Sequence, residues 1–126
     1  MFGGLFTVMN FDDAEKAHIQ WITRLRMYAN GNLPEKLESG TVKLDNVCAL
    51  GKWIYGEAQT LVPVGELSPL IQAHADFHLS AAEIVFKVDG KMLEDAKSLL
   101  DDPQSMINRK VHEVVTALRL LSSRYG

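Results

Sequence analysis

The chain is organised around residues 70–78, which read Leu70-Ile71-Gln72-Ala73-His74-Ala75-Asp76-Phe77-His78. Two histidines four residues apart on a helix lie one turn above each other, close enough to bind one metal ion. The same segment starts an apolar stripe at helical spacing, made of Leu70, Phe77, Ala81, Ile84 and Val88. His74 and His78 flank this stripe, so we expect both to point inward. They are either core histidines satisfied by hydrogen bonds or ligands of a buried ion.

Composition indicates one small globular domain that extends over residues 1–126. Apolar residues make up 47% of the chain, which is long enough for a single core without disulfides. Sixteen acidic residues against 13 basic ones give a net charge of −3, which argues against nucleic acid as the main partner. The single cysteine excludes an internal disulfide and fits a reducing compartment. The apolar N-terminal stretch lacks the features of a signal peptide and is too short to span a membrane, so we expect a cytoplasmic domain.

The first long helix is predicted to begin at Phe11, with Asn10 as its N-cap, and to end at Asn30-Gly31-Asn32. Its apolar face contains Phe11, Ala14, His18, Trp21, Ile22, Leu25 and Ala29. His18 lies near the middle of that face. A ring nitrogen left unpaired there would cost about 1–3 kcal/mol, so this histidine needs a partner.

A second helix is predicted after Asp45-Asn46 and is expected to run from Val47 to Leu61. Cys48 then falls in its first turn, where backbone N–H groups are expected to lower the pKa of the thiol. Gly51, one turn later, leaves room for a backbone or an ion to approach closely. The alternative role for Cys48 is that of a small buried apolar residue. The connection before this helix is expected to hold a short helical turn at residues 35–38.

The central helix is predicted to begin at Ser68-Pro69, with serine as N-cap, and to end at Asp89-Gly90. Residues 91–100 keep helical spacing, so they form either a separate short helix or a continuation of the central one.

The last helix is predicted to begin with Asp102 as cap and Pro103 as its first residue. Its apolar face contains Ile107, Val111, Val114, Leu118 and Leu121. His112 lies off that face and is expected to be solvated. Since no stretch alternates like a strand, these elements predict an all-α fold, an antiparallel four-helix bundle with short connecting helices.

Four residues from three predicted helices form a set with metal-binding chemistry: His18, Cys48, His74 and His78. Three imidazoles and one thiolate complete a tetrahedral zinc site, and the sulfur disfavours magnesium or calcium. A carboxylate-bridged iron site would need two Glu-x-x-His pairs, which the chain lacks. The segment around His74 also lacks the glutamate of a HExxH metalloprotease motif.

Three motifs in this order resemble the chemoreceptor zinc-binding (CZB) domain, namely His18-Ile19-Gln20-Trp21, Cys48-Ala49-Leu50-Gly51-Lys52-Trp53 and His74-Ala75-Asp76-Phe77-His78. The resemblance covers residues 11–78, with helical continuation to the C-terminus. It implies a helix bundle that binds one zinc ion through His18, Cys48, His74 and His78. It also implies that Gly51 and Trp53 pack around the cysteine. Domains of this family occur in bacteria on cytoplasmic chemoreceptors and diguanylate cyclases, and usually work as homodimers.

One position departs from the family pattern. Many members carry an acidic residue directly before the first histidine, where this chain has Ala17. Such a carboxylate can orient the ligating imidazole. Glu15, on nearly the same face, is a candidate to replace it, although an acidic residue at this position is more often a solvated charge at the helix start.

The resemblance favours a regulatory domain that senses zinc or oxidants such as hypochlorous acid and controls chemotaxis or cyclic di-GMP synthesis. Four protein ligands leave no open position for an activated water, so we expect no enzymatic activity. A small zinc-dependent hydrolase and a purely structural zinc site are the alternatives. The apolar segment 2–8 is expected to be covered, which together with the resemblance predicts a homodimer.

Overall fold

The computed structural model describes residues 9–126, in which every regular element is a helix and no strand occurs. Within this range the seven helices are α1 (Phe11–Ala29), α2 (Ser39–Val42), α3 (Ala49–Ile54), α4 (Ala58–Leu61), α5 (Val64–Asp89), α6 (Leu93–Asp101) and α7 (Met106–Tyr125). The predicted all-α bundle is therefore confirmed. The apolar stretch at residues 2–8 lies outside the described residues.

Helices α1 and α5 run parallel to each other. The rings of His18 and His74 lie 5.0 Å apart at mid-length. Farther along both helices, Tyr28 Oη donates a hydrogen bond to Asp89 Oδ1 (2.5 Å). Because parallel neighbours cannot be joined by a short turn, the chain between them must return along the bundle.

Helix α7 runs antiparallel to α1 and α5. Arg119, late in α7, pairs with Glu15 at the start of α1 (2.7 Å). Arg124, nearer the C-terminus, pairs with Glu66 in the first turn of α5 (2.6 Å). The largest fully buried apolar side chains lie between these helices and their shorter neighbours, and they are Phe77, Leu25, Leu50, Ile54, Leu67, Leu70, Ile84, Leu100, Ile107, Leu118 and Leu121.

Residues 30–63 form the crossover segment that links α1 to α5 and contains α2, α3 and α4. The predicted turn at 35–38 is displaced to α2, four residues later. The predicted second helix is wrong in its extent, because α3 begins at Ala49 and a turn at 55–57 separates it from α4. Both ends of the predicted helix are solvent-exposed, with Val47 47% and Leu61 53% exposed. A single helix over residues 47–61 would therefore lack a continuous buried apolar face.

The predicted start of the central helix is also wrong, since α5 begins at Val64 and contains Ser68 and Pro69. Ser68 Oγ donates to the carbonyl of Val64 (2.7 Å) and does not cap a helix. The proline removes a hydrogen bond to the carbonyl of Gly65, which is an exposed residue and can bind water instead. The end of α5 at Asp89, with Gly90 as C-cap, is confirmed.

The C-terminal third forms two separate helices. Lys91 has a positive φ of 65°, which ends α5 and makes α6 distinct from it. Helix α7 begins at Met106 with Ser105 as N-cap, three residues later than predicted. Asp102 is not the cap of α7. Its carboxylate accepts a hydrogen bond from the N–H of Gln104 (2.8 Å), in the turn that precedes the helix.

Three local predictions are confirmed. Asn10 Oδ1 accepts from the backbone N–H of Asp13 (2.9 Å), so it is the N-cap of α1. That helix ends at Ala29, and Gly31 follows with φ 75°. His112 is exposed on α7, as expected.

Across residues 9–126, none of the helices combines the length and apolar character needed to cross a membrane.

Candidate metal centre

The structure brings together the four residues singled out in the sequence. His18, Cys48, His74 and His78 each offer one ligand atom, and these atoms all lie within 4.8 Å of one another. The three histidines are 2%, 0% and 3% exposed, in chain order, whereas Cys48 is only partly buried. Helix α1 supplies His18, helix α5 supplies His74 and His78, and the crossover segment supplies Cys48.

Backbone carbonyls orient two of the three imidazoles. Nδ1 of His78 lies 2.9 Å from the carbonyl oxygen of Val42, and Nδ1 of His18 lies 2.8 Å from that of Ala14. A carbonyl can only accept, so in the neutral rings each Nδ1 carries the proton and each Nε2 presents a lone pair. Nε2 of His18 is buried and has no hydrogen-bond partner among the described residues. Such an atom is suited to binding a cation.

Nε2 of His74 lies near the donor atoms of His78 and Cys48. It is 3.1 Å from Nε2 of His78 and 3.3 Å from Sγ of Cys48, and that sulfur is 3.8 Å from Nε2 of His78. Tetrahedral zinc bond lengths imply nitrogen–nitrogen separations of about 3.3 Å and nitrogen–sulfur separations of about 3.6 Å. The observed spacings lie close to both values. The separations among these three donor atoms are therefore consistent with a zinc ion.

The position of Cys48 is set by the backbone of its own short segment. It is the N-cap of α3, and its Sγ accepts from the N–H of Gly51 (3.3 Å). A Cβ added at Gly51 would lie 1.8 Å from the carbonyl oxygen of Asp45, so the close approach expected at this glycine is confirmed. Tyr55 Oη donates to Asp45 Oδ2 (2.5 Å). Residues 45–55 thus form a closed loop, here called the cysteine loop.

Burial determines how the four groups titrate in the metal-free protein. It lowers the pKa of His18 and His78, and it lowers that of His74 to about 3, with the neighbouring imidazoles adding to the effect. All three rings are therefore neutral near pH 7. Burial raises the pKa of the Cys48 thiol, although the N–H of Gly51 acts in the opposite direction. The predicted lowering is wrong for the metal-free protein because desolvation outweighs the start of a short helix.

Aromatic side chains pack around the site. Phe77 lies edge-on to the rings of His18 (5.4 Å) and His78 (5.6 Å). Trp53 is 8% exposed and meets Phe11 edge-on at 5.5 Å, which ties α3 to the start of α1.

Glu15 does not replace the missing acidic residue of the family pattern. It pairs with Arg119 on α7, which lowers the pKa of its carboxyl group. The carbonyl of Ala14 takes the orienting role at His18 instead. The sequence does not single out this carbonyl or that of Val42, because every residue carries the same group. Only the fold selects which carbonyls meet the imidazoles.

The family model described as the chemoreceptor zinc-binding domain matches residues 18–85, more than half of the chain, and this range includes all four clustered residues. No curated protein and no solved structure gave a significant match.

Proposed function

The chain belongs to the chemoreceptor zinc-binding domain family, and we propose that it is a regulatory domain that holds one zinc ion through His18, Cys48, His74 and His78. The observation that carries the proposal is the spacing of three donor atoms, 3.1, 3.3 and 3.8 Å, which suits a tetrahedral ion. Bound zinc would supply a positive charge that links α1, α5 and the cysteine loop.

The donor set favours zinc, and it favours binding over catalysis. Imidazole and thiolate are softer donors than the oxygens that magnesium and calcium prefer. Four protein ligands close a tetrahedral site and leave no position for an activated water. A hydrolase role therefore has less support than a regulatory one.

A regulatory role needs a protein that stays folded without its ion. Helices α1, α5 and α7 pack through a large apolar core and through Glu15–Arg119 and Glu66–Arg124 ion pairs that do not involve the site. The cysteine loop depends on fewer contacts. Loss of zinc is therefore expected to change this loop while the rest of the bundle persists, which distinguishes a regulatory site from a purely structural one.

Cys48 is the ligand that we propose as the sensing group. It is only partly buried, in contrast to the three histidines. Oxidation of its thiolate by hypochlorous acid to a sulfenic acid would replace a strong soft donor by a weak one. Three imidazoles would remain, and zinc would be held more loosely. Within the family framework, this change would act in the cytoplasm of a bacterium through a homodimer and a chemoreceptor or diguanylate cyclase output.

The direct test is metal analysis of the purified protein by mass spectrometry under native conditions and by elemental analysis. We expect one zinc ion per chain in the wild type and in His112→Ala, whose imidazole is exposed and lies outside the cluster. The variants His18→Ala and Cys48→Ala are expected to lose the ion during dialysis. Two ions per chain, or none after growth in zinc-rich medium, would refute the proposal.

A further inference from the structure

A cavity of about 290 Å³ adjoins the metal centre, between α1 and the crossover segment. Cys48 and His78 form part of its wall, whereas His18 and His74 do not. Ligand pockets in proteins are usually about 300–1,000 Å³, so this one has room only for a small molecule. Of the two clustered residues in the wall, only Cys48 is partly exposed. A molecule in the cavity therefore meets the sulfur first.

Contacts with two long helices fix the sides of the cavity. On the side of the crossover segment, Lys36 Nζ pairs with Asp89 Oδ2 (2.9 Å) and the carbonyl of Val42 accepts from His78. On the side of α1, the Arg24 guanidinium lies 4.2 Å above the ring of Trp21. Since both walls are anchored to long helices, the space does not depend on the cysteine loop alone.

The chemistry of the lining favours uncharged molecules. Apolar side chains form much of the wall, including Leu37, Val42, Leu44 and Val47. The two cations in the lining are paired with acids, Lys36 with Asp89 and Arg24 with Glu35 (3.3 Å). Glu38, the third charged residue of the lining, is exposed. With both cations paired, the lining offers little attraction for an anion, and its apolar wall raises the cost of admitting any ion.

We propose that this cavity is the route by which small uncharged reactants reach the sulfur of Cys48, and that its size excludes larger ones. The idea deepens the proposed function, because access to the sulfur decides which reagents displace zinc. Access itself concerns the cysteine with or without metal, so it is tested separately from zinc binding.

The test compares two maleimides, N-ethylmaleimide and a fluorescein maleimide, on the metal-free and the zinc-loaded protein. The thiolate sulfur of Cys48 adds to the carbon–carbon double bond, a new carbon–sulfur bond forms, and the neighbouring carbon takes a proton from water. Because the chain has one cysteine, the mass of the intact protein counts this reaction alone. The rate ratio of the two reagents on the chain unfolded in urea gives their intrinsic reactivity.

Variants of the lining make the comparison specific. Thr41 is exposed and lines the cavity, so Thr41→Trp is expected to fill it. Reaction with N-ethylmaleimide should slow by about tenfold or more, the factor that about 1.4 kcal/mol of added barrier produces. Thr116→Trp, on the exposed face of α7, is the matched control and should react at the wild-type rate. Leu44→Ala removes part of the wall and should speed the reaction with the larger reagent.

Three results support the route: folded wild type prefers the small reagent more than the unfolded chain does, Thr41→Trp slows it, and Leu44→Ala relaxes the size preference. If folded and unfolded chains show the same preference, the cysteine loop opens to react and the proposal is wrong. A wild-type rate in Thr41→Trp combined with an unchanged size preference in Leu44→Ala would also overturn it. Zinc affinity measured on the same variants separates the two ideas. A protein that binds no zinc refutes the proposed function, while alkylation of the metal-free chain still decides the route.

Discussion

Gly51→Ala should disable the proposed zinc site without touching a proposed ligand. The new methyl group would lie 1.8 Å from the carbonyl oxygen of Asp45, 2.8 Å from its carbonyl carbon and 3.0 Å from Cα of Asn46. All three atoms belong to backbone, so no side-chain rotation can relieve the clash. Ordinary contact begins near 3.4 Å, so the two parts of the cysteine loop must separate by about 1.6 Å.

The size of this movement sets the expected effect on zinc. Gly51 donates its N–H to Sγ of Cys48, so the sulfur shifts with the glycine or loses that hydrogen bond. Metal sites tolerate about 0.2 Å of error in ligand distance. Loss of a partner that only supports a ligand costs about 10–100-fold in affinity, and we expect at least this much. In the metal-free protein, the clash should lower the free energy of unfolding by about 1–3 kcal/mol.

Competition with a chromophoric chelator measures zinc affinity, and circular dichroism checks the fold. Gly40→Ala is the matched control, because a Cβ at Gly40 meets no atom within 4 Å and that glycine also lies in a short helix. It should bind zinc like the wild type. The double variant with Cys48→Ala should bind no more weakly than Cys48→Ala alone, since both changes act on one ligand. Wild-type affinity in Gly51→Ala would refute the reasoning.

Four further predictions concern the ion, the pH and the assembly. His74→Ala should weaken zinc binding by orders of magnitude and His112→Ala should not; equal effects in a chelator competition would contradict the proposed ligand set. Hypochlorous acid added in small equivalents should release zinc in step with oxidation of Cys48 while helicity is retained, and methionine oxidation with zinc still bound would argue against a sensing role. The metal-free protein should lose stability as pH falls below 6.5. His74 has a pKa of about 3 in the folded protein, so the unfolded chain binds a proton there that the folded chain does not, and each pKa unit is worth about 1.4 kcal/mol. An equal free energy of unfolding in urea at pH 7 and pH 5 would contradict this. Light scattering should show a homodimer, and a monomer at high micromolar concentration would refute that prediction.

Features that depend on residues close together in the chain could be predicted from the sequence. Asn10 caps α1 through the N–H of a residue three positions later, and Gly90 ends α5 at a residue suited to stopping a helix. The pair His74 and His78 shares one face of α5 because four residues make about one turn. Their inward orientation follows from the apolar stripe beside them. The all-α class follows from the same periodicity repeated along the chain.

Features that depend on packing between distant segments were decided by the tertiary structure. The start of α5 at Val64 overrides the strong local signal of Ser68-Pro69, because the exposed Gly65 carbonyl can bind water and tolerates the missing hydrogen bond. Burial reverses the expected pKa shift of Cys48. Neither effect is encoded in neighbouring residues.

The candidate site divides along the same line. Its four side chains were identifiable from the sequence, since only certain residue types bind zinc and they occur at helical spacing. Their orientation was not, because the carbonyls of Ala14 and Val42 that fix two imidazoles are chemically like every other carbonyl in the chain. Local sequence thus determined which atoms are able to bind a metal. The parallel arrangement of α1 and α5, with the crossover segment folded back between them, decided that these atoms meet.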